Sequence, residues 1–95
     1  MTLVHNTFTV AITPTLLVTI PEGNPTTTVA VVNDDNSSIF IGDATISVSG
    51  VNKGLQVVKN TNYRIELNSG DTLYGISAAG TSANAVTVLY SKVIG

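Results

Sequence analysis

Apolar and polar residues alternate along most of this chain. In Thr7–Thr13, Phe8, Val10 and Ile12 fall on one side of an extended segment, and Thr7, Thr9 and Thr13 on the other. Residues two apart share a face of a strand, so this is the period of a strand with one dry side. Pro14 lacks a backbone donor and predicts a kink, bulge or edge. The alternation resumes with Leu16, Val18 and Ile20 inward and Thr15 and Thr19 outward. Thr26–Val32 reads as a strand with Thr27, Val29 and Val31 on one face. Its other face carries Ala30 and Val32, which predicts burial on both sides.

Further short strands are predicted at Ser38–Ile41, at Ala44–Ser49, at Leu55–Lys59 and at Tyr63–Asn68, where Tyr63, Ile65 and Leu67 alternate with Arg64, Glu66 and Asn68. Thr72–Ser77 and Ala85–Ile94 complete the series. Between them stand breakers: Pro21-Glu22-Gly23-Asn24-Pro25, Asn33–Ser37, Gly50–Gly54, Asn60–Asn62, Asn68–Asp71 and Ala78–Asn84. Such residues hydrogen-bond their own backbone or accept a positive φ. About eight short strands at this spacing predict an all-β fold, a two-layer antiparallel β-sandwich of jelly-roll or Ig-like type. Residues 1–95 read as one domain, with no linker and no amphipathic helix.

Composition agrees with the pattern. Thr (14), Val (13) and Ile (8) are 35 of the 95 residues, and β-branched side chains suit a pleated sheet better than a helix. Only 11% of residues are charged, so hydroxyls and amides must cover the surface. A chain of this size buries roughly two-thirds of its extended surface, which supports one core. The net charge is −2, and Lys53, Lys59, Arg64 and Lys92 are scattered, which argues against a nucleic-acid partner. Weak self-repulsion permits close packing of many copies. The start of the chain shows no basic and apolar leader, and no apolar run is long enough for a membrane helix.

Candidate chemistry is sparse, and the residues predict no catalytic, cofactor-binding or metal site. There is no cysteine, and His5 has no companions at zinc-ligand spacing. Of the six carboxylates, Glu66 lies on a strand beside Arg64, while Glu22, Asp34, Asp35, Asp43 and Asp71 lie in turns. Asp34-Asp35-Asn36 resembles the opening of a calcium loop, but Ile39 and Thr45 stand where such a loop needs Gly and Glu. Gly70, Gly75 and Gly80 are followed by no Lys-Ser/Thr pair and open no helix, so they are turn and packing glycines. Among the aromatics, Tyr63 is expected on the core face, and Tyr74 and Tyr90 in the core with wet hydroxyls. The uncharged strand Thr7–Thr13 makes residues 1–13 a candidate interface strand or arm, since edge strands are normally guarded by charge or proline.

From Ser38 onward the order of residues is distinctive. Ser38-Ile39-Phe40-Ile41-Gly42-Asp43 is followed by Val51-Asn52-Lys53-Gly54-Leu55-Gln56-Val57 and Tyr63-Arg64-Ile65-Glu66-Leu67. Then come Ser69-Gly70-Asp71-Thr72-Leu73-Tyr74-Gly75-Ile76-Ser77, Ala79-Gly80-Thr81 and Val86-Thr87-Val88-Leu89. This resembles the small β-sandwich structural proteins of tailed bacteriophages, which serve as capsid decoration or cement proteins or as domains of head and tail fibres. The resemblance covers about sixty residues and is carried by the late Gly-Asp to Gly-Thr stretch. The first 37 residues take no part in it.

The resemblance implies a virion protein on the capsid exterior, made in the host cytoplasm, a homo-oligomer (trimer or dimer) whose partner is the major capsid protein. It implies no cofactor, no membrane and no nucleic acid as partner, and it carries over no site residue. The alternative is a tail- or fibre-associated receptor- or carbohydrate-binding module, against which the few aromatics count. An enzyme is the least favoured class.

Overall fold

A computed structural model describes residues 2–92. Eight strands form in chain order: β1 Thr2–Phe8, β2 Thr15–Thr19, β3 Thr27–Asn33, β4 Ile39–Gly42, β5 Leu55–Val57, β6 Thr61–Leu67, β7 Thr72–Ile76 and β8 Val86–Lys92. They make two four-stranded antiparallel sheets, ordered β1-β8-β3-β6 and β2-β7-β4-β5. The pairs β1·β8, β2·β7, β3·β6 and β4·β5 are nested, as in one long hairpin rolled up on itself. That is the jelly-roll form of the expected sandwich, in place of the Ig-like one.

Val29, Val31, Val86, Val88 and Leu67 of the first sheet face Val18, Leu73, Ile39, Ile41 and Val57 of the second across one buried core. The alternation read from the sequence produces these faces directly. Strand β3 has Ala30 and Val32 only half-buried on its other side, because no element covers the outer face of its sheet.

Several boundaries differ from the sequence reading, each for a local reason. Strand β1 ends at Phe8, and 9–14 crosses from one sheet to the other. Val10 alone of that stretch is fully buried, while Ile12 is 65% exposed, so the expected Phe8/Val10/Ile12 face does not form. In β2 a bulge between Leu16 and Val18 turns Leu17 and Val18 both inward. A bulge inserts one residue and breaks the period of two, and here it leaves Leu16 exposed.

Ala44–Ser49 is not a strand. Asp43 Oδ1 accepts the Thr45 amide at 2.9 Å and the Thr45 hydroxyl at 2.7 Å, which starts a turn instead. The resulting loop folds back over the outer face of the second sheet. A Cβ placed on Gly42 would lie 2.4 Å from Ile46 Cγ2, so Ile46 fills the space a side chain would take. The Lys53 ammonium stands 5.7 Å above the Phe40 ring on the same face. Strand β5 ends at Val57, short of Lys59, and Val93 and Ile94 of the expected last strand lie outside the described residues.

Candidate interaction surface

A sheet edge exposes unpaired amides and carbonyls, so each of the four edge strands is a potential contact line. Their sequences differ. Strand β6 places Asn62, Arg64 and Glu66 outward. Strand β5 has only three residues, between Gly54 and Lys59. Strand β2 follows Pro14 and carries the bulge. These are the devices by which edges are kept from pairing: charge, brevity, proline and distortion.

Strand β1 has none of them. Its seven residues, Thr2-Leu3-Val4-His5-Asn6-Thr7-Phe8, keep one unbroken register with Lys92–Val86 of β8. They contain no Asp, Glu, Lys, Arg or Pro. Thr2, Val4, Asn6 and Phe8 point toward the core side; Leu3, His5 and Thr7 point outward. None of the seven is fully buried, and Leu3 is 66% exposed. The expected interface strand is therefore an edge, but it lies at Thr2–Phe8 and not at Thr7–Thr13. The apolar exposure continues onto the neighbouring edge through Ile12 and Leu16.

On the opposite side of the sandwich, β5 and β6 also show apolar residues, Leu55, Val58 and Tyr63. Tyr63 lies in the core-facing row opposite Val31, as expected, yet it is 41% exposed because the row ends there. Lys59 and Arg64 stand beside these residues and keep this side wet and cationic. Tyr90 packs on the core, whereas Tyr74 is half-buried on the outer face of the second sheet, opposite Leu16 and Gly42.

The residues that resembled a calcium loop have a structural use. Asn33 is fully buried at the end of β3, and its Nδ2 donates to the Ser37 carbonyl at 2.9 Å and the Val57 carbonyl at 3.0 Å. Its Oδ1 accepts the Asp35 amide at 3.0 Å. The buried Asp35 carboxylate accepts the Ser82 amide at 2.9 Å and the Ser37 amide at 3.1 Å. The Ser82 amide, against the opposing effect of burial and with further help from the Ser37 and Asn36 amides, holds this carboxyl below its ordinary range. Its acceptor capacity goes to the fold, where it ties the β3–β4 turn to the β7–β8 loop.

The other carboxylates are likewise occupied or isolated. Glu22 Oε2 accepts the Ser69 hydroxyl and Asp71 Oδ2 the Asn68 amide, which pins the β2–β3 and β6–β7 loops together. The Thr45 hydroxyl and amide lower the Asp43 pKa. Among the described residues no three of His, Asp and Glu gather as a metal site. His5 stands exposed on β1, opposite Leu89. The structure thus gathers no reactive group around any of the titratable residues considered from the sequence. What sequence reasoning missed is the breadth of the apolar side, because Leu3, Ile12 and Leu16 come together only through the rolled topology. Compared with known proteins, the chain matches no family model, no curated protein and no solved structure.

Proposed function

We propose that this chain is a structural protein of a bacteriophage virion, a decoration or cement protein that binds the outer surface of the head shell. The observation that carries the reading is the unguarded, charge-free edge strand β1 on a small jelly roll. The resemblance of Ser38–Leu89 to phage β-sandwich proteins supplies the context. An uncharged edge flanked by exposed leucines favours adhesion through backbone and apolar contacts.

The mechanism is adhesive. Each copy covers apolar and backbone surface at the boundary between shell subunits, and many copies together resist internal pressure. Modest single contacts suffice when a repeating lattice presents many sites at once. A net charge of −2 lets neighbouring copies sit close.

The test is where the protein resides. Mass spectrometry and immunogold labelling of purified particles are expected to find it at high copy number on the head exterior. The purified chain is expected to rebind heads from which it has been stripped. A few copies confined to the tail, with a saturable signal on a glycan array, would replace this reading with that of a fibre-borne binding module.

A further inference from the structure

We infer that β1 pairs with β1 of a second copy about a two-fold axis, joining two four-stranded sheets into one eight-stranded sheet. The inference specifies the partner and symmetry of the interface invoked above, and it holds or fails independently of the virion assignment.

The register follows from geometry. Antiparallel self-pairing that engages all of Thr2–Phe8 sets Thr2 against Phe8, Leu3 against Thr7, Val4 against Asn6, and His5 against His5 of the other copy. Every pair then joins residues of the same face, as continuous pleating demands. Val4 and Phe8, half-buried in one copy because their row stops at the edge, gain neighbours from the second. A shift by one residue would pair the inward row with the outward row and set the two cores on opposite sides of the joined sheet.

Charge selects the partner. Like charges opposite one another destabilise a strand pair, and a strand that must meet its own copy avoids the problem by carrying none. Strand β1 has none, whereas β6, the other edge of the same sheet, presents Arg64 and Glu66. Head-to-tail pairing of β1 on β6 would bury those two charges against Leu3, His5 and Thr7, which cannot pair a cation with an anion. Strand β2 cannot substitute, because its bulge interrupts the ladder. Self-pairing also closes the edge, so growth stops at two copies.

Size is consistent with this choice if the flank takes part. A specific dimer covers about 800 Å² per partner, against a total accessible surface of 5262 Å² for this chain. Seven strand residues are too few for that area. Ile12, 65% exposed, and Leu16, 45% exposed, lie along the same side and extend the contact to the second sheet.

The experiment uses the purified full-length chain. Sedimentation equilibrium is expected to show a dimer, and His5→Lys, which sets two ammonium groups face to face at the axis, is expected to convert it to a monomer with an unchanged far-UV spectrum. The chain has no cysteine, so the register can be read separately. A mixture of Leu3→Cys and Thr7→Cys proteins is expected to yield a cross-linked heterodimer with a short bis-thiol reagent, and neither variant alone is expected to do so. A wild-type monomer or trimer, a dimer indifferent to His5→Lys, or cross-linking of Leu3→Cys with itself would each overturn the pairing. If His5→Lys fails to fold, the cross-linking result decides alone. A dimer absent from phage heads would refute the virion role and leave this pairing intact; a monomer that still coats heads would do the reverse.

Discussion

The two lateral sides of the sandwich solve the same problem in opposite ways. Both end in two edge strands, and both leave apolar side chains in solvent. On the β5/β6 side, Leu55, Val58 and Tyr63 are interspersed with Lys59 and Arg64, and β5 is cut to three residues. On the β1/β2 side, Leu3, Ile12 and Leu16 have no charged neighbour on either strand, and β1 runs straight for seven residues. One fold therefore has a side built to stay alone and a side that nothing keeps alone. The lesson is that exposed leucine by itself marks no interface; what distinguishes the two sides is whether the backbone beside it is guarded.

The sides also differ in how they close, and the largest expected effect tests this. Asn33 reaches from β3 to the Val57 carbonyl of β5 and the Ser37 carbonyl, and it accepts the Asp35 amide. Asn33→Ala strands a buried donor and two acceptors, for which a loss of about 3 kcal/mol is expected. Urea denaturation should show this as a lowered midpoint with an unchanged slope. Hydrogen exchange should show β5 opening first. A loss below about 1 kcal/mol would mean that this side is held by packing alone.

The acid response sharpens the same contrast. Asp35 has its folded-state pKa lowered by the Ser82 amide first, with burial opposing and the Ser37 and Asn36 amides adding to the lowering. A carboxylate lowered on folding contributes stability that is fully present above its unfolded value, about 3.9. That contribution is lost as pH falls below this value and through the folded one. Thermal midpoints are therefore expected to hold above about pH 5 and to fall toward pH 2. In Asp35→Asn that acid-induced fall should shrink, starting from a lower midpoint at neutral pH. An unchanged acid profile in the variant would assign the acid sensitivity to other carboxylates, such as Asp43, which is lowered in the same direction.

How much of this could be read from the sequence depends on the range of the cause. The inward rows Val29/Val31, Ile39/Ile41, Ile65/Leu67 and Val86/Val88 follow from alternation alone, since a strand has only two faces. The bulge in β2 had a visible sign, the apolar run Leu16-Leu17-Val18, which fits no strict period of two. Ala44–Ser49 alternates as well as any strand here, but the Asx turn at Asp43 captured it first, and its Ile46 covers Gly42. The role of Asn33 was not legible, because its partner Val57 lies 24 residues away and the sequence around it reads only as a turn. The candidate interface was half legible. The absence of charge near the start of the chain was plain, whereas the position of β1 at an edge is set by its pairing with β8, the most distant strand in the chain.

The smallest expected effect has the opposite sign and belongs to the β1/β2 side. Ser77 ends β7 where the chain passes beneath the 9–14 crossing, and its amide donates to the Ala11 carbonyl at 3.0 Å. The side chain is 1% exposed, and among the described residues its hydroxyl meets no hydrogen-bond partner. A hydroxyl taken from water without replacement costs free energy, and removing it recovers that cost at the expense of a void the size of one oxygen. Ser77→Ala is therefore expected to stabilise the fold by about 1 kcal/mol, which raises the thermal midpoint of a domain this size by roughly 4–8 °C. A lowered midpoint would show that a buried water satisfies the hydroxyl and that this side, too, is closed by a polar bridge. The result thus decides whether Asn33 has a counterpart. If it has none, the β1/β2 side is the more weakly tied of the two, as an edge that exchanges solvent for a second copy requires.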